Sequence, residues 1–158
     1  MRPEATVPAR HLRTILLGGL IVGTLDACDA FIFFGFIRGA RLPSVFQAVA
    51  AGILGREAFR GGWPTFVLGL AIHFFIATCI VATYYAASRR IAALRTHAVA
   101  CGLVYGVGVY FFMSQVVVPL SRLGNSPSWQ VPVLLNGIIG HALLVGLPAA
   151  LVSRRAPV

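Results

Sequence analysis

The feature that most constrains this chain is a set of four apolar runs, each more than twenty residues long. The hydrocarbon core of a bilayer is about 30 Å thick, and an α-helix needs about 20 apolar residues to cross it. A helix also satisfies its own backbone polar groups, which lipid cannot do. The runs therefore predict four membrane-spanning helices, at residues 14–37, 64–87, 98–120 and 131–153.

The composition excludes most soluble classes of protein. The 158 residues are 58% hydrophobic and 11% charged, with a mean hydropathy of +0.87, whereas a soluble domain has about 25% charged residues. Polar side chains are too few to cover a water-facing surface, so a soluble enzyme, a disordered chain and a disulfide scaffold are excluded. We predict one all-α membrane domain over residues 1–158, folded as a bundle of four transmembrane helices.

A fifth apolar segment lies between the first two spans, at residues 43–55, and is bounded by Arg41 and Arg56. At 1.5 Å per residue this segment is about 20 Å long, which is too short for a crossing. Pro43 is suited to the first turn of a helix and Gly55 to its end. We therefore predict an interfacial or re-entrant helix, whereas a fifth crossing would place the chain termini on opposite sides of the membrane.

The charged residues predict the orientation. All thirteen basic residues are Arg, against four acidic residues, and the net charge is +9. The Arg residues flank the apolar runs, as membrane anchors do, so we expect the lipid bilayer and no nucleic acid as a partner. Eight of them lie in the two tails and the loop 88–97, and five lie on the other side. The positive-inside rule then places both termini in the cytoplasm, and we expect a multi-pass protein of the bacterial inner (plasma) membrane.

The first span is expected to be a retained helix. A signal peptide has an apolar core of 7–15 residues followed by a cleavage site, but here the apolar run continues through residues 31–37. Cys28, Cys79 and Cys101 all lie within predicted spans. Buried Cys usually behaves as a small hydrophobic residue, so no disulfide is expected.

Six residues with carboxyl, imidazole or amide side chains lie within the predicted spans. Ionisable groups at this depth are costly and are a functional-site hypothesis by default. The midpoints of the spans place Asp26, His73 and His141 near the membrane centre, and the other three further toward the outer face. The six candidates are Asp26, Asp29, His73, Gln115, Asn136 and His141.

Small residues on the same helical faces indicate that the polar residues face the bundle interior. Gly19, Gly23 and Asp26 share one stripe of the first span, and Gly102 and Gly106 form a GxxxG motif in the third. Small residues allow membrane helices to approach closely. The stripes therefore predict a tightly packed bundle that buries the polar side chains.

The chemistry of these groups leaves several interpretations open. Asp26 and Asp29 lie one turn apart, so we expect at least one of them to hold a proton or to have a cationic partner. A hydrogen bond from Asp26 to a histidine could simply lock the bundle, or the carboxylates and histidines could relay protons. His73, His141 and Asp26 are candidate metal ligands, and the two histidines could ligate a haem. No cofactor is expected, because no metal-binding or catalytic motif accompanies these residues.

Four short runs resemble small bacterial inner-membrane proteins that have four helices. The runs are GTLD at 23–26, LAIHFFIA at 70–77, YYAASRR at 84–90 and VGLP at 145–148. The resemblance covers most of the chain and implies a four-helix membrane fold. It implies no activity, substrate or cofactor.

Three classes of function remain. The first, which the small size, short loops and glycine stripes favour, is a non-catalytic subunit or accessory protein of a membrane complex, as a homo-oligomer or with a membrane-protein partner. The second is a small oligomeric transporter or proton-coupled carrier that uses the Asp/His cluster. The third is a haem- or metal-binding bundle. No nucleophile–base pair indicates catalysis, so no catalytic residue is assigned.

Overall fold

The computed structural model describes residues 7–126 and 128–155, and within these residues every regular element is a helix. Four helices are long and apolar enough to cross a membrane, which confirms the predicted all-α bundle. A shorter helix lies between the first two. The five helices are α1, with the α-helix Val7–Ala30 and the π-helical segment Phe31–Ile37; α2, Leu42–Leu54; α3, Gly62–Arg90; α4, with Ala98–Phe112, the π-helical Met113–Val117 and Val118–Leu120; and α5, with Val131–Gly140, the π-helical His141–Gly146 and Leu147–Arg155.

The connections are short. A 3₁₀ segment, Gly55–Arg60, joins α2 to α3, and the single turn Ala93–Thr96 lies between α3 and α4. The long helices begin and end within a few residues of the apolar runs. The largest difference is at the start of α1, which begins at Val7 rather than at residue 14.

The π-helical segments of α4 and α5 have an identifiable cause. Pro119 follows Met113–Val117 by two positions, and Pro148 follows His141–Gly146 by two positions. Proline has no backbone N–H, and its ring clashes with the carbonyl group four residues earlier. In both helices that carbonyl belongs to the π-helical segment, so the proline widens the turn before it.

Small residues bring the helices into close contact. Gly19 of α1 lies so close to α3 that a Cβ atom there would be 2.8 Å from the Cα atom of Thr78. Gly102 of α4 lies against the backbone of Gly146 in α5. Both contacts are backbone-to-backbone approaches of the kind predicted from the glycine stripes.

Both ends of the described chain lie at the same end of the bundle, which we call the tail end. His11, near the start of α1, hydrogen-bonds the Tyr85 hydroxyl group near the end of α3. Gly18 of α1 lies beside Val152 near the end of α5. We call the opposite end, where α2 lies, the α2 end.

The short helix α2 packs against the first part of α3 and does not form a fifth crossing. Gly69 makes this contact possible, because a Cβ atom there would overlap the backbone carbonyl group of Phe46. The Gln47 side-chain amide donates a hydrogen bond of 3.0 Å to the Gly62 carbonyl group. Gly69 lies seven residues into α3, so Phe46 packs about 10 Å inside the α2 end of that helix.

The outer surface of the long helices is apolar. Val104, Phe75 and Leu120 are 73%, 69% and 82% exposed, as expected for side chains that face lipid. The buried interior consists mainly of Ala and Val side chains together with Tyr84 and Tyr85. The polar groups described next are not part of this apolar interior, because they line a separate cavity.

Candidate functional site

A cavity of about 480 Å³ lies between α1, α2, α3, α4 and α5 in the half of the bundle toward the α2 end. We call it the polar cavity, because it brings together five of the six intramembrane polar residues. These five are Asp26, Asp29, His73, Asn136 and His141. Its remaining wall is mostly apolar and includes Phe34, Phe46 and Phe59.

Asp26 and His73 face each other across α1 and α3. The Nδ1 atom of His73 lies 3.9 Å from a carboxylate oxygen of Asp26, which is too long for a direct hydrogen bond. The Nε2 atom of His73 is 2.9 Å from the Gly23 carbonyl oxygen, so we assign it as the donor. That bond orients the ring and turns Nδ1 toward Asp26. Asp26 is therefore not a simple hydrogen-bonded lock on His73.

Asp29 is bound to the neighbouring helix α5. The Asn136 side-chain amide donates a hydrogen bond of 2.9 Å to a carboxylate oxygen of Asp29. Gly140 lies one turn further along α5, and a Cβ atom there would be 3.1 Å from the same carboxylate oxygen. The absence of a side chain at Gly140 thus makes room for the Asp29 carboxylate against α5.

His141 begins the π-helical segment of α5 and lies between the polar cavity and the bundle interior. Its ring packs edge-to-face on Tyr110, with centroids 5.4 Å apart. Its Nδ1 atom is buried and has no hydrogen-bond partner among the described residues. Buried polar atoms are nearly always hydrogen-bonded, so an unpartnered one needs an explanation.

Phe46 and Tyr110 are residues of the cavity wall that the sequence analysis did not single out. The ring of Phe46 packs edge-to-face on His73, with centroids 5.1 Å apart. Tyr110 follows Gly106 by four positions, so the predicted GxxxG stripe continues into it and could have indicated its position. The position of Phe46 depends on how α2 docks onto Gly69, and no local sequence signal specifies that contact.

Gln115 does not join the cavity. It is exposed on α4, and its side-chain amide is 3.5 Å from the Ser114 hydroxyl group. Tyr110 lies five residues earlier, and five residues at about 100° each rotate a side chain by about 140° onto another face. The predicted depth of Gln115 therefore did not determine which side of α4 its side chain lies on.

Two further spaces adjoin the polar cavity. One is an inner cavity of about 190 Å³, which shares Asp26, His73 and His141 with it and extends toward the tail end. The other is an apolar groove of about 430 Å³ between α1 and α5, which shares Asp29 and Asn136 with it.

A third space, a groove of about 600 Å³, lies between α3 and α4, and we call it the α3–α4 groove. It shares Ile76, Ile80 and Met113 with the inner cavity and no lining residue with the polar cavity.

A metal centre receives no geometric support from the described residues. Within 7–126 and 128–155, no three His, Cys, Asp or Glu side chains are grouped closely enough to hold a metal ion. Haem ligation by His73 through Nε2 would require loss of its bond to the Gly23 carbonyl group. The polar part of the cavity wall consists of two carboxylates, two imidazole rings, the Asn136 amide and the Ser44 and Tyr110 hydroxyl groups.

No protein-family model, no curated protein and no solved structure matches this chain. The structure therefore supports one part of the resemblance to small four-helix membrane proteins, namely the architecture. It contains four helices of membrane-spanning length.

Proposed function

We propose that this multi-pass membrane protein binds a small organic cation in the polar cavity, as a binding protein or carrier. The observation that carries the proposal is the placement of Asp26, Asp29, His73 and His141 around one cavity of about 480 Å³. Among the alternatives drawn from the sequence, this favours the carrier over the accessory subunit.

Asn136 and Asp29 are paired with each other, but two other polar groups of the cavity have no direct hydrogen bond to a neighbour among the described residues. The Nδ1 atom of His141 has no partner among the described residues, and the Asp26 carboxylate is 3.9 Å from His73. A cluster that only held the bundle together would pair its groups, since an unpaired buried polar group costs about 1–3 kcal/mol. A bound ligand with several N–H donors would complete these hydrogen bonds.

The charge of the cavity wall indicates a cation. Two carboxylates line the cavity, and among the described residues no Arg side chain does. Ionised carboxylates accept hydrogen bonds only, and a buried charge is stable only when it is paired. An ammonium group within reach of Asp26 and Asp29 would supply both the donors and the opposite charge.

Two alternatives have less support. The accessory-subunit hypothesis was favoured by small size, short loops and glycine stripes, but Gly19, Gly23, Gly102 and Gly106 pack within this chain, so the stripes explain its own bundle and do not by themselves indicate a partner. For the metal hypothesis, no group of three possible metal ligands is found among the described residues. For the haem hypothesis, the Nε2 atom of His73 is already bound to the Gly23 carbonyl group, which leaves Nδ1 as its one ring nitrogen that could ligate iron.

The proposed setting is the inner membrane of a bacterium, with the tail end in the cytoplasm. The last turns of α3 and α5 carry Arg89, Arg90, Arg154 and Arg155 at the tail end. Arg is enriched on the cytoplasmic side of membrane proteins. The polar cavity would then lie in the half of the bundle toward the opposite, outer side.

The proposal is tested by calorimetric titration of the full chain in lipid nanodiscs with butylammonium, butanol and butyrate. We expect butylammonium to bind most tightly, because it alone can pair with the two carboxylates. Asp26→Asn and Asp29→Asn should each remove a charge-assisted hydrogen bond of about 1.5–3 kcal/mol. That loss corresponds to a Kd that rises by about 10-fold to 150-fold.

Glu57→Gln is the matched control. It makes the same carboxylate-to-amide change on an exposed side chain that lies outside the cavity and is paired with Arg60. Its Kd for butylammonium should equal that of the wild type. If butanol bound as tightly as butylammonium, or if all three variants behaved alike, the cation-binding proposal would be wrong.

A further inference from the structure

The polar cavity is one end of a series of three spaces that leads to the lipid-facing surface. It shares Asp26, His73 and His141 with the inner cavity. The inner cavity in turn shares Ile76, Ile80 and Met113 with the α3–α4 groove. The series therefore changes from surroundings that contain two carboxylates to mainly apolar surroundings between its two ends.

The α3–α4 groove has the character of a site for an alkyl chain. Its wall is formed by apolar side chains, with the Thr83 hydroxyl and Cys79 thiol groups among its few polar atoms. Thr83 already donates a hydrogen bond of 2.8 Å to the Cys79 carbonyl group, so the hydroxyl group offers little to a polar ligand. From His73 to Thr83 the path along α3 is about 15 Å.

The boundary between the groove and the inner cavity is formed by Ile76, Ile80 and Met113. Ile is β-branched and stiff in a helix, whereas methionine is unbranched and adapts its shape to its neighbours. Met113, which begins the π-helical segment of α4, is therefore the side chain that must rotate for a chain to pass this boundary.

We propose that the ligand is a single-chain cationic amphiphile, with its ammonium head in the polar cavity and its alkyl tail in the α3–α4 groove. This inference rests on the proposed function and adds the substrate class and the route of access. The charge of Asp26 and Asp29 selects the head, and the inner cavity, which shares lining residues with both spaces, lies between the head site and the groove. An ordinary phospholipid does not fit, because its headgroup remains at the membrane surface while Asp26 lies near the middle of α1.

Gly108 provides a sharp test of the tail site. It lines the groove, and a Cβ atom placed on it would meet no other atom within 4 Å. Gly108→Trp therefore has an unobstructed Cβ position and adds an indole ring at the groove. Val104→Trp is the matched control, since Val104 lies one turn away on the same face of α4, is 73% exposed and does not line the groove.

The measurement is the binding of decylammonium and butylammonium to the full chain in nanodiscs, with affinities expressed relative to the amphiphile already dissolved in the lipid. We expect Gly108→Trp to weaken decylammonium binding by about tenfold, as overpacking a filled apolar site does. Butylammonium binding should not change in this variant. Val104→Trp should leave the binding of both ligands unchanged.

The outcomes separate the two proposals. If Asp26→Asn weakens decylammonium binding and Gly108→Trp does not, the tail site is wrong and the cation site stands. If Asp26→Asn has no effect, the cation site is wrong, and the tail proposal falls with it. Equal binding of decanol and decylammonium would likewise overturn both.

A second measurement on the wild-type chain does not depend on the folding of any variant. A decylammonium analogue with a photoreactive diazirine at the end of its tail is irradiated in the nanodisc, and the labelled residues are found by mass spectrometry. We expect labels on the groove residues of α3 and α4, near Cys79 and Phe112, and their loss when unlabelled decylammonium is added in excess. Labelling spread evenly over the lipid-facing surface would refute the tail site.

Discussion

Replacing Gly106 with Ala should force α4 and α5 apart where the candidate site is built. A Cβ atom at Gly106 would overlap the backbone carbonyl group of His141 and would be 2.8 Å from the Cα atom of Ala142. Both neighbours are backbone atoms, so no side-chain rotation can relieve the overlap. The helices must separate, and His141 must move with α5.

The size of the effect follows from a comparison with Gly108→Ala on the same helix. Both substitutions improve helix propensity by roughly 0.5–1 kcal/mol, but the Cβ atom at position 108 meets no other atom within 4 Å. The difference between the two variants therefore isolates the overpacking cost, which is typically about 1–3 kcal/mol. We expect Gly108→Ala to be slightly more stable than the wild type, and Gly106→Ala to be less stable than Gly108→Ala by that amount.

The assay is unfolding of the purified protein in mixed micelles by increasing mole fractions of sodium dodecyl sulfate, followed by circular dichroism. Because His141 moves with α5, Gly106→Ala should also weaken butylammonium binding, whereas Gly108→Ala should not. If the two variants had equal free energies of unfolding, the close approach of α4 to α5 described above would be incorrect.

Two further predictions concern a hydrogen bond within the bundle and the orientation of the chain in the membrane. Asn136→Leu removes the amide that donates to Asp29. In the same micelle assay it should lower the free energy of unfolding by about 1–3 kcal/mol. Unchanged stability would contradict the assigned hydrogen bond. For orientation, single cysteines replacing Ser128 at the α2 end and Thr96 at the tail end, both exposed, are introduced into a cysteine-free chain. A membrane-impermeant maleimide added to intact cells should label position 128 and not position 96, and the reverse result would overturn the proposed orientation.

The helices could be predicted from the sequence because a membrane imposes one simple requirement, namely a run of about 20 apolar residues. For example, the bounds of α4, Ala98–Leu120, coincide with those of the predicted span. The helix α1 begins at Val7, before the predicted span, because polar residues such as Arg10 and Arg13 can continue a helix beyond the membrane.

The candidate site could be predicted only in part. Depth along a helix follows from counting residues, so Asp26 and His73 were placed at similar heights, and the structure brings them within 3.9 Å. Rotation about the helix axis is less certain, because a π-helical segment changes the phase of the residues within and beyond it. Gln115 lies in such a segment, and it faces away from the cavity that depth alone had suggested.

The wall that α2 contributes could not be predicted because it depends on contacts distant in sequence. Phe46 reaches the cavity only because Gly69, twenty-three positions later, leaves room for its backbone. Pattern reasoning identified a short helix but contained no information on which surface receives it. The same limit applies to the α3–α4 groove, because each of its two helices has the sequence pattern of an ordinary apolar span.

The depth of the carboxylates also has an electrical consequence. Asp26 and His73 lie within about 5 Å of the midpoints of their helices, so a cation that reaches them from the α2 end crosses roughly half of the hydrocarbon thickness. Moving one charge through the whole membrane potential is worth about 2.3 kcal/mol per 100 mV, and half of that corresponds to about a sevenfold change in Kd. Occupancy of such a site would therefore follow the voltage across the membrane, and an energised cell with a negative interior would draw the cation in from outside.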